Sequence, residues 1–177
     1  MGLLPVVARG PDVFKIWTKT LLYWMSFLKN EIYFVAPFWD KHILETILNI
    51  VLEKEETANI GFLYFREPCC HDHLTFEDIW KTTIAEYSDN AKTILKEKVF
   101  TKARGIDKKN NCFHAKFVGC VNNETEEAEI LMTSANFTKQ HFYWFDKDAG
   151  KCNRESLSHH EMSKAEFERK FINPVTP

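Results

Sequence analysis

An imidazole and an ammonium two residues apart, His114 and Lys116, are followed by a hydroxyl and an amide, Ser134 and Asn136, within Thr133-Ser-Ala-Asn-Phe-Thr138. Substitution at a phosphate uses such a set: the ring attacks phosphorus while the cation and the donors hold the charge on its oxygens. Strand alternation puts His114 and Lys116 on one side of the run ending at Val121, with Phe113, Ala115, Phe117, Gly119 and Val121 on the other. Ser134 and Asn136 share a side of a second run, opposite Leu131, Ala135 and Phe137. The charged, turn-rich stretch from Val121 to Glu129 predicts a hairpin between the two runs. Antiparallel pairing would gather all four groups at one site.

His114-x-Lys116, Thr133-Ser134-x-Asn136-x-Thr138 and Asn153-x-Glu155, in that order, resemble the signature of the phospholipase D superfamily. Upstream, Ile32-Tyr-Phe-Val-Ala-Pro-Phe38 resembles its first strand and following loop, so the likeness covers most of the chain. It implies an α/β fold with a mixed sheet sandwiched between helices, a half domain carrying a single motif. It also implies metal-independent phosphodiester cleavage without a cofactor. One histidine attacks to give a phosphohistidine, while another protonates the leaving group and then activates water. His114, Lys116, Ser134, Asn136 and Glu155 are the catalytic candidates, with Glu155 able to accept from the second ring nitrogen and fix the tautomer. One position departs from the pattern: where the superfamily commonly has Asp, this chain has Val121, and the tyrosyl-DNA phosphodiesterase branch also lacks that Asp.

His42, His71, His73, His141, His159 and His160 all lack a lysine two residues on, so the chain holds one motif. The two-step reaction needs a second imidazole, and a two-fold homodimer would bring one from a second copy. A nuclease resembling the single-motif members is the favoured reading, with nucleic acid as the partner. Lipid hydrolysis is less favoured, and a catalytically silent phosphate-binding or dimerisation module is the rival from another class. Val121 and the 19 residues from Asn136 to Glu155 favour that rival.

The 177 residues, 45% hydrophobic and 14% aromatic, predict one globular domain spanning 1–177. A net charge of −2 gives no global basic field. A local run does occur, from Lys96 and Lys98 through Lys102, Arg104, Lys108 and Lys109, just before His114. It reads either as a solvated charge run or as a lip guiding an anion to the site, with Lys102, Arg104, Lys108 and Lys109 as substrate-binding candidates. Cys69, Cys70, His71 and His73 offer a weak metal-binding alternative, since adjacent residues seldom converge on one ion. Five cysteines without the dense framework of a small secreted domain, and no recognisable signal segment, predict an intracellular protein, cytoplasmic or nuclear.

The elements that must position these groups read in order as follows. Residues 12–29 have helical apolar spacing and form an amphipathic N-terminal helix. A strand from Glu31 to Ala36, a helix from Lys41 to Lys54 capped by Asp40, and a strand from Asn59 to Phe65 predict a parallel crossover. Thr75 with Asp78 reads as a capping box opening one long helix to Lys98. The aromatics His141-Phe-Tyr-Trp-Phe145 read as core or as a base-stacking surface. A short strand begins at Asn153, and a last helix runs from Ser163 to Phe171.

Overall fold

In chain order the elements are β1 (Val6–Arg9), α1 (Gly10–Trp24), β2 (Asn30–Val35), α2 (Lys41–Glu53), β3 (Ile60–Glu67), α3 (Phe76–Ile84), α4 (Asp89–Lys98), β4 (Ala103–Asp107), β5 (Phe117–Asn122), β6 (Glu127–Thr133), α5 (Lys139–Tyr143), β7 (Phe145–Asp146), β8 (Lys151–Cys152), β9 (Arg154–Ser163) and α6 (Lys164–Phe167). This computed structural model describes residues 6–67, 74–107, 114–143, 145–146 and 151–174. Seven strands form one mixed sheet in the order β1-β9-β6-β5-β2-β3-β4, and β7 pairs with β8 apart from it. β2, β3 and β4 run parallel, while β5, β6, β9 and β1 continue the sheet antiparallel.

Alternation along the strands divides two apolar layers. On one face α1, α2, α3 and α5 bury Trp17, Leu21, Ile43, Ile47, Trp80 and Phe142 against Phe34, Leu63, Val118 and Leu131. The other face is covered more thinly, by α6 and the π-helical turn Glu168–Ile172, with Phe167 seated on Phe117, Val121 and Ile130. Gly119 makes that seat possible: a Cβ there would meet the Phe167 ring at 2.4 Å. Val121, at the position where the motif commonly has Asp, is 1% exposed within this second core.

The expected mixed sheet between helices, the parallel β2–α2–β3 unit and the β5–β6 hairpin are all present. Asp40 caps α2 by accepting from the Ile43 N–H, and Thr75 with Asp78 forms the capping box. Several boundaries differ. The predicted helix 12–29 runs instead from Gly10 to Trp24. The single helix expected from Thr75 to Lys98 is two, because Ser88 accepts from the Ala91 N–H and starts α4 afresh. Part of the basic run is β4, an edge strand whose exposed arginine suits an edge. The strand expected to be short at Asn153 is ten residues long, since β6 and β1 flank it on both sides.

Candidate active site

Of the residues expected to do chemistry, Glu155 is on β9, whereas His114, Lys116, Ser134 and Asn136 stand just beyond strand ends. β5 starts at Phe117, after His114 and Lys116, and β6 stops at Thr133, before Ser134 and Asn136. The hairpin still brings the two ends together, because the Thr133 N–H donates to the Lys116 carbonyl at 3.1 Å. β9 is stitched to the same corner: the Ser134 N–H donates to the Ser156 carbonyl at 3.2 Å, and the Ser156 N–H returns a bond to Ser134 Oγ at 2.9 Å. Leaving the strand frees these residues from period-two geometry, so neighbours in sequence can converge.

Lys116 Nζ donates to His114 twice, to ring Nδ1 at 2.9 Å and to its carbonyl at 2.9 Å. His114 is exposed and Lys116 is half-buried. Burial pulls the Lys116 ammonium below its usual range, and the Glu155 carboxylate opposes that shift. The same Glu155 is a buried residue, and its carboxylate has two partners. Ser134 Oγ donates to Glu155 Oε2 at 2.5 Å, and Glu155 Oε1 lies 2.8 Å from His141 Nδ1. On the far side of that ring, Nε2 is 3.2 Å from Asn136 Nδ2. Asn136 Oδ1 is buried and lacks a hydrogen-bond partner among the described residues.

Three of the five catalytic candidates, Ser134, Asn136 and Glu155, therefore join one hydrogen-bonded corner whose unexpected member is His141, while His114 and Lys116 bond each other and Lys116 feels the Glu155 charge. The carboxylate expected to address His114 is held instead by His141 and Ser134. Nothing in the spacing of His141 marks it, because its contact to Glu155 spans 14 residues. Its position in the first turn of a helix following the Ser-x-Asn segment was the available signal.

The basic candidates are placed otherwise. Lys102 lines a cleft of about 370 Å³ with Ala58, Ile60 and Lys98, at the start of β3. Arg104 is level with Phe117 across the sheet but lies three strands away, and it donates to the Thr101 and Ala103 carbonyls. By strand alternation it shares the face of Tyr64 and Ile106 rather than that of the corner. Neither is brought to His114. Lys108 and Lys109 lie outside the described residues, as do the metal candidates Cys69, Cys70, His71 and His73. Among the described residues no group of three His, Cys, Asp or Glu side chains is placed to hold a metal ion. Of the aromatic run, Phe142 is fully buried beside Phe14 and Trp17, whereas Tyr143 is at the surface against His42. Among the described residues no helix is long and apolar enough to cross a membrane.

No family model and no curated protein matches this sequence. Solved structures do. Polyphosphate kinase from Porphyromonas gingivalis superposes with a TM-score of 0.54 at 7% identity, over 100% of this chain and 26% of that one. Phosphatidylserine synthase from Haemophilus influenzae superposes with a TM-score of 0.50 at 15% identity, over 98% of this chain and 36% of that one. Nuc from Salmonella typhimurium, described as a phospholipase D family member, gives 0.48 at 12% identity, over 98% and 91% of the two chains. At these identities the likeness is one of fold alone, shared with the matched parts of the polyphosphate kinase and the phosphatidylserine synthase.

Proposed function

We propose that this chain is a metal-independent phosphodiesterase, a nuclease that attacks the nucleic-acid backbone with His114 and passes through a phosphohistidine. The observation that carries this reading is the His114–Lys116 pair set against the Ser134–Glu155 corner. A neutral ring accepts the lysine N–H at Nδ1, as a nucleophile must be neutral. An incoming phosphate would compete for Lys116 Nζ, which then frees that ring nitrogen and neutralises an equatorial oxygen. Nucleic acid is preferred over lipid because Lys108 and Lys109 lie six and five residues before His114 in the sequence.

Attack by His114 needs an acid for the leaving oxygen, and two sources of a second imidazole are open. One is His114 of a second copy across a two-fold axis, following from the single His-x-Lys. The other is a ring of the same chain. Exchanging subunits of wild type with His114→Ala separates them. Activity below the wild-type fraction means two copies of His114 in one site, and activity equal to it means both rings in one chain.

The function itself is tested by cleavage of single-stranded, duplex and lipid phosphodiesters with EDTA present. Nucleic acid should be cut and His114→Ala should be inert. If no substrate is cut, the silent module takes over as the better reading, and the burial of Val121 in the core favours it. Activity only with added magnesium or zinc would rule out the histidine route.

A further inference from the structure

Resting on the phosphodiesterase reading, we infer that His141 is the second imidazole: it protonates the leaving oxygen and then activates water, within the same chain as His114. A histidine beside a glutamate is not enough to say so, since His159 also lies 2.8 Å from Glu129. What differs is the setting. The Glu129 side chain is 40% exposed, whereas that of Glu155 is 7% exposed and its other oxygen is taken by Ser134. A buried carboxylate so tied holds one ring orientation, with the Nδ1 hydrogen on Glu155 and Nε2 turned toward Asn136. The His141 side chain remains 29% exposed, so the ring is not sealed from substrate and water.

Charge separates the two rings. An imidazolium at His141 forms an ion pair with Glu155, while one at His114 would face the Lys116 ammonium. His141 is thus suited to carry the proton and His114 to attack. Asn136 serves both protonation states: its amide N–H meets the neutral Nε2, and its unpartnered Oδ1 would accept from a protonated one after the amide turns over. The step balances. A His114 nitrogen bonds phosphorus, the phosphorus–oxygen bond to the leaving group breaks, and the His141 proton goes to that oxygen. Water then attacks phosphorus, the phosphorus–nitrogen bond breaks, and a water proton returns to His141. The site needs no second copy.

The test compares two leaving groups in EDTA: an oligonucleotide, whose alkoxide needs a proton, and bis(p-nitrophenyl) phosphate, whose nitrophenolate does not. His141→Gln should slow the oligonucleotide reaction by about 100- to 10,000-fold. On the nitrophenyl ester it should give a stoichiometric burst and then stall, because no base is left to activate water. His141→Asn, checked for fold by circular dichroism, is read in parallel so that a folding defect is not taken for a lost proton. In the subunit exchange, activity should follow the wild-type fraction. Wild-type rates for a folded His141 variant on both substrates, with His114→Ala inert, would overturn this assignment and leave the proposed function standing. A wild-type protein inert on both would remove the two together.

Discussion

At Lys116 two demands meet: the ammonium must be charged to hold a phosphate, yet it sits half-buried beside His114. Burial lowers its pKa, against the pull of Glu155. The charge is therefore lost on raising pH earlier than for a free lysine, which titrates near about 10.4. The alkaline limb of kcat/KM should fall below that range, and Lys116→Arg should move the limb up, because guanidinium stays charged. A pH profile of the two proteins checks this. Lys116→Ala should cost about 100- to 1,000-fold in kcat, in line with removal of one charge-stabilising donor. Residue types and order were legible at this scale: His114, Lys116, Ser134, Asn136 and Glu155 all stand out in the sequence. The partner of each was not. Glu155 sits in β9 while His141 lies on a short helix between strands, and no periodicity describes that contact.

The element that presents His141 is α5, five residues long and too short to persist alone. It is pinned from outside. The Lys139 N–H donates to Asp40, which also caps α2, and Asn153 Nδ2 donates to the Gln140 carbonyl at 2.8 Å. Phe142 anchors it in the core beside Phe14. Gly10 closes the arrangement, since a Cβ there would meet the His141 carbonyl at 2.2 Å, a backbone atom that cannot swing aside. Gly10→Ala should displace α5, costing about 1–3 kcal/mol in denaturant unfolding together with a fall in kcat. Asp40→Ala should cost about 0.5–2 kcal/mol through the lost α2 cap, and the same assay should show reduced activity because α5 loses its N-terminal tie. The Asp40 cap was readable from its place before an apolar periodic run. Its second bond, 99 residues along the chain, was not.

Across the whole molecule, both ends of the chain close the sheet beside the site. β1 pairs with β9 in register, Ala8 opposite Glu155, so the N-terminal strand backs the carboxylate at the centre of the corner. Val-Val-Ala-Arg is only four residues long, too short to stand out as a strand, and its partner lies some 150 residues on, which is why that pairing was hidden from the sequence. The mixed sheet, its parallel half and its hairpin were legible because long apolar runs and caps mark them locally. On the thinly covered face Phe167 is the main plug over Phe117 and Gly119, and Phe167→Ala should cost about 3–5 kcal/mol in denaturant unfolding. The measurement that bears most directly on the function is a single turnover in EDTA with a phosphodiester labelled at phosphorus, quenched in base and mapped by peptide. A base-stable, acid-labile phosphoryl adduct on the peptide holding His114, absent in His114→Ala, is the predicted result. Cleavage with no adduct, or an adduct elsewhere, would contradict it.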